Sequence, residues 1–149
     1  MPLQDVRLLT TPFDPGALIG SFPKASPNLG AICTFVGEVR PEHDVEALEL
    51  THYEPLTLPA MRELAGIACA RFDLVGLIMV HRIGMLHPGE PIVCVSAGST
   101  HRRSAIDAVD FTMDHLKSAA WFWKRELRPD GWHWIEPREQ DYSDLARWK

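Results

Sequence analysis

Lysine is scarce in this chain. Only four of its 149 residues are lysines, and the formal net charge is −5 at pH 7. A protein that binds nucleic acid or an anionic membrane through general electrostatics needs a basic face, which this balance does not supply. Any anion-binding site must therefore be a local cluster of basic side chains on an acidic background.

Cysteine is also scarce, and its three residues are widely spaced. Cys33, Cys69 and Cys94 form no CxxC pair, which predicts reduced thiols and a cytoplasmic location. All three lie in apolar segments, so we interpret them as buried structural thiols and not as nucleophiles.

Long apolar runs and metal-binding spacings are missing. No run approaches the roughly 20 residues of a membrane span, and the N-terminal residues lack the basic and apolar regions of a signal peptide. No two of the seven histidines have HxxxH or HExxH spacing, so we predict no zinc site.

Apolar periodicity and turn signals predict one α+β domain over residues 1–149, with a mainly antiparallel sheet and about three helices. Helical signals lie near residue 15, over residues 55–72 and from about residue 99. The turn sequence RPDG predicts a C-terminal hairpin. The predicted strands cover residues 31–40, 45–53, 75–84, 91–98, 121–127 and 132–136. The predicted buried face of the third helix consists of Ile106, Val109, Met113 and Leu116.

Three basic residues, His101, Arg102 and Arg103, follow a plausible helix cap in GSTHRRSA. Positive side chains in a first helical turn oppose the helix dipole, so the sequence must gain something else from them. Free backbone N–H groups, the dipole and the basic side chains could together bind a phosphate or carboxylate. Alternatively, these side chains face solvent or pair with an acid such as Asp107.

Two of the four lysines, Lys117 and Lys124, flank the aromatic run of DHLKSAAWFWKRE. The predicted hairpin places Lys117 in the last turn of a helix and Lys124 on the next strand. One continuous helix would instead place them on one face, two turns apart. Either arrangement can bring both ammonium groups to one pocket, where cations and apolar walls lower a lysine pKa and allow catalysis. The ordinary alternative is a dipole-stabilising lysine followed by a solvated one.

Arg40 ends the strand TFVGEVR, at a position where functional groups are common. Its guanidinium could bind phosphate as a two-pronged donor. It could equally pair with Glu38 or Glu42.

The chain resembles the large, catalytic subunit of molybdopterin synthase in five motifs that occur in the same order: TFVGEVR, HRIGML…PGE, STHRRSAIDA, MDHLK and FWKRE…W.W.E. The resemblance runs from PFDPGAL to ARW. It implies an α/β hammerhead fold with an added antiparallel sheet. It also implies a sulfurtransferase that converts cyclic pyranopterin monophosphate to molybdopterin by adding the two sulfurs of the dithiolene.

The same resemblance implies partners. Sulfur arrives as a C-terminal Gly-Gly thiocarboxylate on a small ubiquitin-like subunit, whose tail inserts into a pocket of the large subunit. Two large subunits form a central dimer with one small subunit at each end, in the cytoplasm. Because the partner delivers the sulfur, no cysteine of this chain is required, and neither a cofactor nor a metal is implied.

Matched positions give the site residues that the resemblance implies. Lys117 and Lys124 fall on the catalytic positions, with Lys117 beside the incoming tail and Lys124 protonating or stabilising developing negative charge. Arg138 falls on an arginine that reaches the neighbouring subunit's pocket. Phe35 and Met113 fall on pocket-lining positions. The substrate-contacting positions are Glu38, Val39, Arg40, His101, Arg102, Arg125 and Glu126.

The chain departs from the family at Glu38, where relatives commonly have a lysine, and at Trp121, where they often have proline. Glu38 removes a positive charge near the pocket. Two other functions stay open. One is a non-catalytic dimeric module that binds a phosphorylated metabolite through the same basic cluster, and the other is a lyase that forms a Schiff base on Lys117.

Overall fold

The computed structural model describes residues 2–24, 26–118 and 121–149. Within these residues the chain forms two four-stranded sheets and four α-helices. The helices are α1 (Pro15–Ile19), α2 (Thr57–Arg71), α3 (Arg102–Ser118) and α4 (Glu139–Ala146), with a short 3-10 turn at Glu42–Asp44. The strands are β1 (Leu3–Leu9), β2 (Ala31–Glu38), β3 (Ala47–His52), β4 (Gly76–Arg82), β5 (Gly84–Leu86), β6 (Pro91–Ser99), β7 (Phe122–Arg128) and β8 (Gly131–Ile135).

The first sheet, with strand order β1-β4-β6-β2, forms the centre of the main core. All of β4 and most of β6 are buried, because apolar side chains on the two faces of the sheet both find partners. Met79 and Val95 pack with residues of α2 and α3 on one face. Ile78 and Val80 pack with Leu18 of α1 on the other. The sheet is therefore a middle layer between helices.

The second sheet, with strand order β5-β3-β7-β8, is antiparallel throughout. Leu48 and Leu50 of β3 are buried with Leu86 of β5 in a smaller core. Phe122, at the start of β7, packs against both this smaller core and the main core. The two sheets thus meet at Phe122, two residues before Lys124.

The structure confirms the predicted α+β class, since five of the six strand pairings are antiparallel. It also confirms the C-terminal hairpin of β7 and β8. The turn ends at Gly131, whose φ of +119° is one that glycine adopts without steric cost. The alternative of one continuous helix through Lys117 and Lys124 is wrong.

The sequence pattern does not predict β1, β5 or α4. Strand β5 has only three residues, and β1 is a partly exposed edge strand that pairs in parallel with β4. Helix α4 has only eight residues and none of them is buried, so its pattern is too short for a helix to be identified from the sequence. The prediction of about three helices therefore falls one short of the four found in the described residues.

The predicted buried face of α3 is wrong at one position. Ile106 is 41% exposed, whereas the other three residues of that predicted face are buried. Ala105 and Ala108 occupy the adjoining core positions. The buried face is therefore rotated away from Ile106, and small residues take up part of it.

The C-terminal segment is tied to α3 by polar and aromatic contacts. Arg147 donates hydrogen bonds to Asp110 and Asp114, at 3.1 and 2.6 Å. The indole N–H of Trp148 also donates to Asp114, and its ring meets Phe111 edge to face. These contacts hold α4 beside α3. No helix in the described part of the chain is both long enough and apolar enough to cross a membrane.

We predict that Met79→Ala lowers the free energy of unfolding by about 2–5 kcal/mol, because Met79 is fully buried and its removal leaves a cavity. The matched control is Met85→Ala, because Met85 is 43% exposed and should change stability by less than about 1 kcal/mol. Urea unfolding followed by circular dichroism measures both. Equal losses for the two variants would contradict this description of the core.

Candidate functional site

A cavity of about 500 Å³ lies where α3 ends, beside β2, β3, β7 and β8. Its size is that of a site for a small organic ligand. The walls combine apolar side chains with charged ones. Nine of the twelve residues assigned to the site from the sequence line it: Phe35, Glu38, Val39, Arg40, Met113, Lys117, Lys124, Glu126 and Arg138.

Strand β7 delivers Lys124 to the cavity through the two-residue period of a strand. Phe122, Lys124, Glu126 and Arg128 all line the cavity. Lys124 lies opposite Leu50 of β3 on one side of β7 and opposite a residue of β8 on the other. Its ammonium therefore emerges from the middle of a sheet, where the backbone is held on both sides.

Helix α3 delivers Lys117 in its last turn. A cation there is favoured by the carbonyl end of the helix dipole. The side chain keeps solvent-accessible area because it faces the open cavity, yet the surrounding walls still displace much of the water around its ammonium. Helix and strand thus place the two lysines in one cavity, as the hairpin interpretation predicts.

The pKa values of both lysines are lowered, mainly by burial. Burial lowers the pKa of Lys117, while the carboxylate of Asp141 opposes this shift and the guanidinium of Arg138 adds to it. Burial and the neighbouring charge of Lys117 lower the pKa of Lys124 to about 8. Near that pH, Lys124 exists in both protonation states and can either donate or accept a proton.

The end of β2 is held in place by a loop. Val39 is buried, and its N–H donates to the Glu90 carbonyl at 3.0 Å, while its own carbonyl accepts from Gly89 at 2.9 Å. Arg40 then extends into solvent at the cavity, with its side chain 70% exposed and 3.4 Å from Glu42. The pairing with Glu42 is one of the alternatives considered for Arg40. The exposed guanidinium is still able to meet a ligand.

Adjacent residues of β7 have different surroundings. Glu126 lines the cavity and accepts a hydrogen bond from Arg128 Nε at 2.9 Å. Arg125 does not line the cavity. Its Nε donates to Glu49 at 2.7 Å, and its guanidinium lies 4.2 Å from the ring centroid of Trp132. The structure therefore separates Arg125 from the group of residues around the lysines.

His101 and Arg102 lie at the opposite end of α3 from Lys117. They line a separate open concavity of about 570 Å³ together with Thr100 and Arg103. Because a helix rises about 1.5 Å per residue, Arg102 and Lys117 are about 22 Å apart. Arg103 lies 3.9 Å from Asp107, the acidic partner considered from the sequence. Within one chain, the His101–Arg102 pair and the lysines do not share a cavity.

Arg138 lines the cavity of its own chain, although the resemblance implies a contact with a neighbouring subunit. It occupies the N-cap position of α4, where its backbone N–H donates to Asp141 at 2.9 Å. The hydroxyl of Ser118, at the end of α3, donates to the Asp141 carbonyl at 3.1 Å. Helix α4 thereby brings Arg138 and Asp141 beside the lysines.

His81 lies in the cavity wall and is not among the residues chosen from the sequence. It is 8% exposed, and its ring stacks on Phe122 with a centroid distance of 4.0 Å. Burial, with added repulsion from Lys124 and Lys117, lowers the pKa of His81 to about 4. The available signal was the pair His81 and Arg82 in the otherwise apolar segment VGLIMVHRIG.

Comparisons with known proteins point to one family. Residues 8–119 match the family model described as MoaE protein. A molybdopterin synthase catalytic subunit from Caulobacter vibrioides is 44% identical over 144 residues, which cover 96% of each chain. A protein of the same name from Pseudomonas aeruginosa is 40% identical over 147 residues, 97% of this chain and 98% of that one. The solved structure of a molybdopterin biosynthesis MoaE protein from Burkholderia ambifaria superposes with a TM-score of 0.81 at 38% identity, covering 99% of this chain and 98% of that chain.

We predict that Lys124→Met stabilises the fold at pH 7 by about 1–3 kcal/mol, because it removes a partly buried charge next to Lys117. The folded pKa of Lys124 is about 8 and its ordinary value is 10.5. The cost of its charge is therefore complete below about pH 8 and vanishes above pH 10.5. The advantage of the variant should shrink as pH rises through this interval.

Urea unfolding of the wild type and the variant between pH 7 and pH 10.5 tests this prediction. The matched control is Lys24→Met, because Lys24 is exposed and should shift stability by less than about 0.5 kcal/mol. An advantage for Lys124→Met that grows with pH would have the wrong sign.

Proposed function

Because the chain belongs to the MoaE family, the catalytic subunits of molybdopterin synthase, we propose that it transfers sulfur in the cavity that contains Lys117 and Lys124. The acceptor is cyclic pyranopterin monophosphate, and the product carries the dithiolene of molybdopterin. The donor is the C-terminal thiocarboxylate of a small ubiquitin-like subunit. The observation that carries this proposal is the convergence of two lysines with lowered pKa values in one ligand-sized cavity.

The substrate is a phosphate ester, and its negative charge matches the cations of the cavity. Arg40 and Arg138 stand at the cavity with side chains 70% exposed, so they can reach a phosphate as it enters. Phe35 and Met113 supply apolar wall for the ring system. The carboxylate of Glu126 is paired with the guanidinium of Arg128, and this neighbouring positive charge reduces its repulsion of an anionic ligand.

In the proposed reaction, the thiocarboxylate sulfur of the carrier forms a bond to a side-chain carbon of the pterin and displaces the oxygen bound there. Water then cleaves the acyl carbon–sulfur bond, which leaves the sulfur on the pterin and restores the carrier's carboxylate. A second carrier repeats the transfer at the neighbouring carbon. Lys117 lies beside the incoming tail and holds the thiocarboxylate in position. Lys124, with a pKa of about 8, delivers a proton or stabilises the negative charge that develops. Both roles use groups already held by α3 and β7.

The thiols of this chain are unsuited to carry the sulfur themselves. Burial raises the pKa of Cys33 and Cys94, and it raises the pKa of Cys69 to about 11. The thiolate is the nucleophilic form, so all three remain weakly reactive at neutral pH. A sulfur carrier supplied in trans fits these environments. Three free thiols also favour the cytoplasm as the location of the protein.

A second copy of the chain can complete the site. His101 and Arg102 are too far from the lysines to act on the same ligand within one chain. The family resemblance implies a central dimer, and in such a dimer the concavity of one copy can face the lysine cavity of the other. We therefore assign His101 and Arg102 to substrate contact across the dimer, with one small subunit bound at each end.

We predict that Lys117→Ala lowers dithiolene formation at least 100-fold in a mixture with thiocarboxylated small subunit and cyclic pyranopterin monophosphate, because it removes a positioned charge from the reacting groups. The matched control, Lys24→Ala, should retain full activity because Lys24 is exposed and lies outside the cavity. Product is measured as molybdopterin after oxidation to a fluorescent derivative.

Near-normal turnover by Lys117→Ala would overturn the assignment of this residue. If the wild type bound the pterin phosphate but formed no product with an active carrier, a non-catalytic binding module would be the better description. Trapping of a carbonyl substrate on Lys117 by borohydride would instead favour a Schiff-base lyase.

The dimer assignment can be tested by mixing two inactive variants. Arg102→Ala and Lys117→Ala should each be inactive alone, yet a mixture that has exchanged subunits should recover part of the activity. Recovery is expected because a mixed dimer contains one site that lacks both substitutions. Two affinity tags on the two variants show whether exchange has occurred, and exchange without recovery would contradict a shared site.

A further inference from the structure

His81 has a geometry that the proposed reaction leaves unused. It lies on β4 in the wall of the cavity and is 92% removed from solvent, with 8% of its surface exposed. Its ring is stacked on Phe122 at an interplanar angle of 13°, so the ring cannot turn freely. The nitrogen atoms of the His81 ring therefore have fixed positions relative to a ligand bound in the cavity.

The hydrogen bond at Nδ1 of His81 determines whether Nε2 acts as a donor or as an acceptor. Nδ1 lies 2.7 Å from the carbonyl oxygen of Arg82, which can only accept, so Nδ1 carries the proton. In the neutral ring, Nε2 is then an acceptor. His81 lines the cavity, and its Nδ1 is occupied by the Arg82 carbonyl. Nε2 is therefore the ring nitrogen that can face a ligand in the cavity.

The charges around the ring keep it neutral. Lys117 and Lys124 both disfavour a protonated imidazole, and together with burial they hold the pKa of His81 at about 4. Among the described residues, four carboxylates line the cavity, and none of them is a buried free acceptor. Glu126 is bound by Arg128, Glu42 lies 3.4 Å from Arg40, and Glu38 and Glu136 are exposed. His81 is thus a buried, uncharged acceptor beside Lys117 and Lys124, in a wall whose carboxylates are exposed or already paired.

We propose that His81 is a further substrate-contacting residue, whose Nε2 accepts a hydrogen bond from a hydroxyl or N–H group of the phosphate ester bound between Lys117 and Lys124. This inference rests on the proposed function for the nature of that ligand. The acceptor on His81 can distinguish between phosphate-containing ligands, which the lysine and arginine side chains cannot do. Lysine and arginine side chains bind any phosphate, whereas Nε2 favours a ligand with a donor at a defined distance from its phosphate.

Three variants separate contact with the ligand from support of the fold. In His81→Gln, the amide can reach the position of Nε2 and offer an acceptor. In His81→Asn, the shorter amide can replace the bond from Nδ1 to the Arg82 carbonyl but does not reach the cavity. His81→Phe keeps the stacking on Phe122 and loses both nitrogens. The melting temperature of each variant records the structural cost separately.

We predict that kcat/KM for cyclic pyranopterin monophosphate falls roughly tenfold in His81→Asn and His81→Phe, as expected for one lost hydrogen bond. His81→Gln should recover most of this loss. Competitive inhibition by inorganic phosphate should be unchanged in all three variants, because phosphate needs only the cations. The proposal would be overturned if His81→Asn were as active as the wild type and His81→Gln were inactive. That result would show that the hydrogen bond to the Arg82 carbonyl, and not a contact with the ligand, is what the reaction needs.

The same ranking is expected in the Kd of cyclic pyranopterin monophosphate, measured by calorimetry without the sulfur carrier. This measurement tests the contact even if the wild type shows no turnover, so failure of the contact and failure of the proposed function are distinguishable. In wild-type protein with ¹⁵N-labelled histidine, the Nε2 resonance of His81 should shift when the pterin phosphate is added. An unchanged resonance at saturating ligand would exclude the hydrogen bond.

Discussion

The confinement of two ammonium groups in one partly buried cavity is the constraint on which the rest of the structure depends. Lys117 and Lys124 repel each other, and both lose hydration in the cavity, so flexible supports would let them separate into water. The chain instead holds one at the end of a 17-residue helix and the other in the middle of a sheet. The packing of α3 and β7 thus keeps the two lysines close together despite their electrostatic repulsion.

The two hydrophobic cores together fix the position of Lys124. Phe122 packs against both of them and comes two residues before Lys124, so a movement of either sheet would displace the lysine. On the other side, α4 is tied to α3 through Asp110 and Asp114 and brings Asp141 towards the lysines. That carboxylate offsets part of the repulsion. The polar C-terminal helix is therefore a component of the site and not an appendage.

Local sequence signals predict the lysine cavity well and its remaining parts poorly. The turn at RPDG and the periodicity of α3 were sufficient to place Lys117 on a helix end and Lys124 on a strand. Strand alternation also separates Arg125 from Glu126, although matching by resemblance had grouped them. His81 carries only a weak local signal, because a histidine in a buried strand is recognised as part of a site only when its neighbours in space are known. Helix α4 has only eight residues, too few for its periodicity to stand out. In the proposed function, Arg102 reaches a lysine cavity only from a second copy of the chain, and a pattern within one sequence does not show such a contact.

The lowered pKa of Lys124 has a consequence for how the cavity accepts an anion. In the proposed function, the negative charge of the phosphate ester favours the protonated form of Lys124, so ligand binding would be coupled to proton uptake. At and above about pH 8, Lys124 is therefore only partly protonated before the ligand binds, and binding draws the missing proton from the solvent. Over this pH range, a chain with a net negative charge thus gains positive charge at Lys124 when the cavity is occupied.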